Sequence, residues 1–198
     1  MKVLVACEFS GIVREAFKKR GHNAWSCDLL PTEIPGQHIQ GDVLKVLNDG
    51  WDLMIAHPPC TYFANSGLHY LKTRPGRIKK LQEAYYFLCQ LWLAPIEKIC
   101  IENPVGWLNT HWRRPTQIIH PYYFGVPELK RTCLWLKNLP PLMETKVCEK
   151  PKPKGYCIRK SGRNKGKRYY YHWRQGKSAQ SRSITFDCIA NAMAEQWG

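Results

Sequence analysis

The chain of 198 residues contains no run of about 18 or more apolar residues, so nothing in it reads as a membrane-spanning helix. It contains no CxxC pair. Its nine cysteines follow neither a disulfide framework nor a usual zinc-ligand spacing. Cys7, Cys89 and Cys100 sit in apolar stretches and read as reduced, packed thiols. Cys148, Cys157, His172 and Cys188 lack the intervals a structural zinc site uses, and no metal is expected. No internal repeat is visible, which excludes a solenoid or propeller. The opening "MKVLVACEFSG" lacks a signal-peptide layout, so the expectation is a soluble, cytoplasmic protein.

Acidic residues are scarce as well, 15 against 30 Lys and Arg, giving a net charge of +15. The surplus is concentrated. Between Pro141 and Arg182 thirteen Lys and Arg face two Glu, which is eleven of the fifteen net charges in about a fifth of the chain. A charge run of this kind can be a solvated loop. Here "KRYYYHWRQ" interleaves aromatic rings with cations, a pattern suited to base stacking and phosphate contact. Arg163, Lys165, Lys167, Arg168, Tyr170, Trp173 and Arg174 are the candidate nucleic-acid-binding residues.

Aromatics are plentiful, with 8 Trp, 10 Tyr and 6 Phe, so the chain can build a core. "MKVLVACEF" reads as a buried strand. In "SGIVREAFKKRG", Ile12, Val13, Ala16 and Phe17 form one helical face, with Ser10 as the cap and Gly21 as the stop. "NAWSCDLL" is a second strand ending at Asp28, "GDVLKVL" a short segment, and "WDLMIA" a third strand. The long helix "RIKKLQEAYYFLCQLWLA" leads to the strand "KICIENP", then "TCLWL", the basic insert and the closing helix "ITFDCIANAMAEQWG". Alternating strands and helices predict an α/β fold, a Rossmann-like, mostly parallel sheet with helices on both faces, plus a small basic insert. The expected division is a catalytic domain over 1–140 and 183–198 and an insert over 141–182.

In such sheets ligands bind beyond the carboxyl ends of the strands. The residues there are Glu8, Asp28, Asp42, His57-Pro58-Pro59-Cys60 and Glu102-Asn103-Pro104. Taken singly, each has a structural alternative: Cys60 a packed thiol, Glu102 a strand-end carboxylate, Asp28 and Asp42 turn or helix caps. His57 reads as structural. Pro58 and Pro59 fix the backbone immediately before the thiol and would aim it in one direction.

Four segments in order, "PPC" (58–60), "IEN" (101–103), "YFGVPELKR" (123–131) and "IANAMAEQW" (189–197), resemble the AdoMet-dependent DNA cytosine-5 methyltransferases. "EFSGIVREAF" (8–17) is a looser echo of that family's glycine-rich cofactor turn. The likeness covers about 1–140 and 183–198 and is strongest to compact, phage-type members. The chain departs from the pattern at His57, Thr61 and Pro104, and in the missing glycines of the cofactor turn.

The resemblance implies a reaction and roles. Cys60, as thiolate, would add to carbon-6 of cytosine, so that carbon-5 can take a methyl group from S-adenosylmethionine. Glu102 would bind the base's amidine edge and share a proton with ring nitrogen-3, which calls for a pKa raised by burial. Arg131, with Lys130 beside it, would contact the base carbonyl or a phosphate and favour the thiolate. Asp28 would hold the cofactor ribose, Asp42 its adenine amino group and Phe9 its ring. Glu8, Gly11 and Asn191 would lie near its methionine part, and Pro58 is a further cofactor-binding candidate. The implied partner is DNA, preferably duplex with the target base flipped out, bound by a monomeric enzyme in a bacterial or phage-infected cell. Alternatives from the sequence are the same chemistry on a free pyrimidine nucleotide, transfer of a different group, or an inactive DNA-binding homologue.

Overall fold

The computed structural model describes residues 1–153, 155–160, 164–171 and 183–198. Seven strands form one sheet: β1 (Lys2–Ala6), β2 (Asn23–Asp28), β3 (His38–Gln40), β4 (Leu53–Ala56), β5 (Lys98–Pro104), β6 (Gln117–Ile119) and β7 (Thr132–Lys137). Their order is β3-β2-β1-β4-β5-β7-β6. The pairs from β3 to β5 are parallel, whereas β7 runs antiparallel to both neighbours. The expected α/β class and mostly parallel sheet are what the chain forms.

The central strands carry apolar side chains on both faces, and so read as continuous runs rather than alternations. Val3, Val5, Leu53, Ile55 and Leu134 point to one layer. That layer is covered by α1 (Ile12–Lys19) and the closing helix α5 (Asp187–Trp197). Leu4, Ala6, Met54, Ala56, Ile99, Ile101 and Trp135 point to the other. There α3 (Arg77–Trp92) contributes Leu81, Leu88 and Leu91, and the single turn α4 (Leu108–His111) contributes Leu108. α2 (Asn65–Leu68) is another single turn, after the cysteine motif.

In α1 the expected apolar face is buried through Val13, Ala16 and Phe17. Its cap differs from expectation. Gly11 is the capping residue, in the left-handed region at φ 78°, and gives no side-chain cap. The Glu8 carboxylate instead accepts from the amides of Val13 (2.7 Å) and Arg14 (3.2 Å), while Ser10 Oγ lies 3.4 Å from the Ile12 amide. The carboxyl thus takes two of the helix-start amides and leaves Ser10 the longer bond from the Ile12 amide.

Arg14 is wholly buried. It donates to Glu15 (2.9 Å), Ser26 Oγ (3.0 Å), Thr32 Oγ1 (3.2 Å) and the Ile34 carbonyl (2.6 Å). It thereby ties α1 to β2 and to the loop that follows β2.

The insert's described part is a separate two-stranded antiparallel ladder, β8 (Gly155–Ile158) with β9 (Arg168–Tyr171). The chain leading into it stays bound to the body. Leu142 is in the core, Met143 exchanges two hydrogen bonds with Gln196, and the Cys148 amide donates to the Tyr122 carbonyl. Trp197 closes α5 onto the same segment by donating to the Pro140 carbonyl at 3.0 Å.

Candidate active site

Sheet register assembles the site. Ala6 pairs with Cys27 on one side and Ala56 on the other, and Ala56 pairs with Ile101. One residue further on, Asp28, Cys7, His57 and Glu102 stand in a row across β2, β1, β4 and β5. Strand order reverses between β1 and β4, with α1 on one face and α3 on the other. A crevice at the carboxyl ends of those two strands follows from that reversal. Cys7 leaves β1 in the left-handed region, φ 59°, an uncommon backbone for a residue with a Cβ. Burial, then Asp28, Cys27 and Asp42, push its thiol far up, so it stays protonated.

Two neighbouring clefts open there and share Cys7 and Pro59. The first, about 270 Å³, is lined by Glu8, Phe9, His57, Pro58, Cys60, Glu102 and Lys130. Ser183, Ile184 and Thr185, just ahead of α5, close its rim. The second, about 340 Å³, has Asp28 and Asp42 among apolar Leu29, Val43, Leu44 and Phe87. Asp28 also accepts from the Leu30 amide at 2.9 Å, and Asp42 caps a short turn by accepting from Leu44 at 3.0 Å. The cap role and a place in the cleft coexist at both residues.

Cys60 is half-buried in a turn fixed from three directions. Its carbonyl accepts from the amides of Phe63 (3.0 Å) and Ala64 (2.9 Å). Buried Asn103 donates to the Pro58 carbonyl at 2.8 Å, and Arg77 donates to the Thr61 carbonyl at 2.8 Å. Gly106 passes so close that a Cβ there would collide with the Phe63 carbonyl. Sequence accounts for the two prolines; the Asn103 tether requires the fold.

Glu102 lies against His57, with Nδ1 donating to Oε2 at 3.3 Å. The two side chains are 16% and 8% exposed, respectively. Burial pushes the Glu102 carboxyl up, but the His57 hydrogen bond, the Lys130 charge and the His57 charge together outweigh it. The net shift is downward. This corrects the expectation of a raised Glu102: the sequence shows the burial of a strand end but not the cations facing it. The raised carboxyl is Glu8, where burial outweighs His57 and the hydrogen bonds from Val13, Arg14 and Ser10.

Of the two cations, Lys130 lines the cleft, whereas Arg131 is exposed at the foot of β7. Asn191 is exposed on α5 and lines neither cleft; the chain approaches the site through Ser183–Thr185, earlier in the sequence. Gly11 is buried against Arg14 and Ile34, its conformation serving the start of α1. Lys165, Lys167 and Arg168 are exposed, and Arg168 lies over the Tyr156 ring at 4.7 Å. Tyr170 is on β9; Arg163, Trp173 and Arg174 lie outside the described residues, as does His172. Among the described residues no three His, Cys, Asp or Glu side chains form a metal site, and no helix is long and apolar enough to cross a membrane.

No protein-family model and no curated protein matches the sequence. Among solved structures, the chain is similar to one described as a candidate DNA modification methyltransferase encoded within an E. coli prophage. The TM-score is 0.47 and the identity 14%, over 74% of this chain and 51% of that one. The chain thus spans about half the length of that neighbour.

Proposed function

We propose that the protein is an S-adenosylmethionine-dependent DNA cytosine-5 methyltransferase, with Cys60 as nucleophile. The observation that carries this reading is the convergence of Cys60 and Glu102 on one cleft at the sheet's reversal point, beside a second cleft bearing Asp28 and Asp42. The donor set of the second cleft fits an adenosine: carboxylates at the ends of β2 and after β3 for hydroxyl and amino groups, apolar walls for a ring. The cofactor supplies an electrophilic methyl on a sulfonium.

The chain's own residues do the rest. Cys60, presented on a tethered turn, attacks carbon-6 of a flipped pyrimidine. Glu102 accepts from the exocyclic amino group and is placed to exchange a proton with ring nitrogen-3. Lys130 adds positive charge facing the carboxylate and the thiol side of the cleft, which favours a thiolate. The exposed cations of the insert hold the phosphate backbone, and the bound strand presents its base to the cleft.

A second reading, the same chemistry on a free nucleotide, is disfavoured by the basic insert, for which a small substrate has no use. Duplex DNA carrying 5-fluorocytosine should form a covalent band of retarded mobility that requires both S-adenosylmethionine and Cys60. Absence of that band, with label passing from the cofactor only to free nucleotide or nowhere, would overturn the assignment. Cys60→Ser should lose the adduct while keeping salt-sensitive DNA binding.

A further inference from the structure

His57 occupies a position where the resembled pattern has glycine, and the structure gives it more than packing to do. Because Ala56 pairs with Ile101, His57 and Glu102 emerge side by side from β4 and β5. The imidazole is 8% exposed, lines the Cys60 cleft, and points Nδ1 at Glu102 Oε2, 3.3 Å away. Its other nitrogen, Nε2, is buried with no partner among the described residues. A buried ring nitrogen left unsatisfied is costly, so the occupant of the cleft or a water is needed to complete it.

The surroundings define the charge problem. Glu8 faces His57 from beyond β1, Lys130 faces Glu102 from ahead of β7, and Cys7 and Cys60 line the same cleft. Behind Glu102 the thiols of Cys100 and Cys133 are kept protonated, first by burial. Glu102 is therefore held as a carboxylate, which accepts from an amino group but has no proton to give to ring nitrogen-3. The nearest side chain able to pass one is His57, whose Nδ1 lies 3.3 Å from Oε2.

We propose that His57 is a positioning residue that orients Glu102 and supplies the proton Glu102 delivers to the pyrimidine. This rests on the function proposed above. In the step the ring enters as imidazolium and Glu102 as carboxylate; the Nδ1–H bond breaks as an Oε2–H bond forms, leaving a neutral imidazole and a neutral acid. The acid passes one proton to ring nitrogen-3 while the Cys60 electron pair makes the sulfur–carbon-6 bond. At the end of the cycle the carbon-5 hydrogen leaves as a proton to solvent, its electron pair re-forms the 5,6 double bond as the sulfur–carbon-6 bond breaks, and the nitrogen-3 proton returns through Glu102 to Nδ1.

His57→Asn tests this, because asparagine keeps an N–H near the position of Nδ1 but carries no transferable proton. The expected result is a fall in kcat of about 10²-fold at neutral pH. Cofactor Kd should stay within about twofold, and the alkaline limb of the kcat profile, where the pair loses its proton, should disappear. A variant with wild-type kcat and an unchanged limb would overturn the proposal and leave His57 as packing. An independent arm needs no turnover. In nitrogen-15 NMR of the free protein, Glu102→Gln should move the His57 Nδ1 resonance; an unmoved resonance overturns the pairing. If the wild-type protein forms no adduct with fluorocytosine DNA, the cytosine chemistry fails and this NMR arm alone judges the pair.

Discussion

The strand-end clefts and the basic insert are built in opposite ways. At and around the clefts, groups are held by other elements: Pro58 by Asn103, Thr61 by Arg77, Glu102 by His57, and the start of α1 by Glu8. The described part of the insert is a two-stranded ladder whose Lys165, Lys167 and Arg168 are exposed. Two strands alone are marginally stable in water. Chemistry that needs fixed distances belongs with the first construction. Affinity for a polyanion, which depends on charge number more than on exact placement, belongs with the second.

The comparison is broken most severely in the body. Arg14→Met removes a buried guanidinium and leaves Thr32, Ile34 and Glu15 without their shared donor. Removing one partner of a buried charged network costs about 3–5 kcal/mol. For a domain of this size that is a fall in Tm of roughly 10 °C. The loop after β2, which borders the Asp28 cleft, should lose protection in hydrogen exchange first. A Tm within about 2 °C of wild type would show that the network is not what holds this loop.

The insert should respond in the other currency. Replacing Lys165, Lys167 and Arg168 by Ala leaves the core untouched, so Tm should hold within about 2 °C. Binding to duplex DNA should weaken, and the log–log salt slope should shrink by about 0.9 for each lost phosphate contact, up to about 2.7. Transfer at saturating DNA should be unchanged. A slope equal to wild type would move the phosphate-binding surface elsewhere.

The sequence was legible where physics is local. Apolar runs flanked by helical faces located β1, β2, β4, β5, β7, α1, α3 and the closing helix. Three-residue strands such as β3 and β6 lack the length to show a period and are defined only by their neighbours. At the site, motif spacing placed Cys60, Glu102, Asp28 and Asp42 at strand ends. What it could not supply was register. The pairing of His57 with Glu102, the choice of Lys130 over Arg131 for the cleft, the exposure of Asn191 and the approach of Ser183–Thr185 all depend on which strands lie side by side. Glu8 reads as a cofactor contact in sequence; that it holds the start of α1 could not be read there, because only the folded turn brings its carboxyl to the Val13 and Arg14 amides.

The smallest effect concerns the two cleft carboxylates, whose shifts have opposite signs. Glu102 titrates below an ordinary glutamate in the folded state, so its favourable contribution is present above the unfolded value of about 4.3 and is lost as pH falls through its folded value. Glu8 titrates above it, so its ionisation weakens the fold as pH rises through its own folded value. Urea unfolding at about pH 4 and about pH 7 separates them. Glu102→Gln should lose more stability relative to wild type at the higher pH than at the lower. Glu8→Gln forfeits the carboxyl's hydrogen bonds to the start of α1 at either pH, yet its deficit should narrow as pH rises, because the wild type alone carries the cost of a buried charge. Parallel curves for both variants would mean that the cations around Glu102 do not reach it, and the contrast between an ionised Glu102 and a burdened Glu8 would collapse.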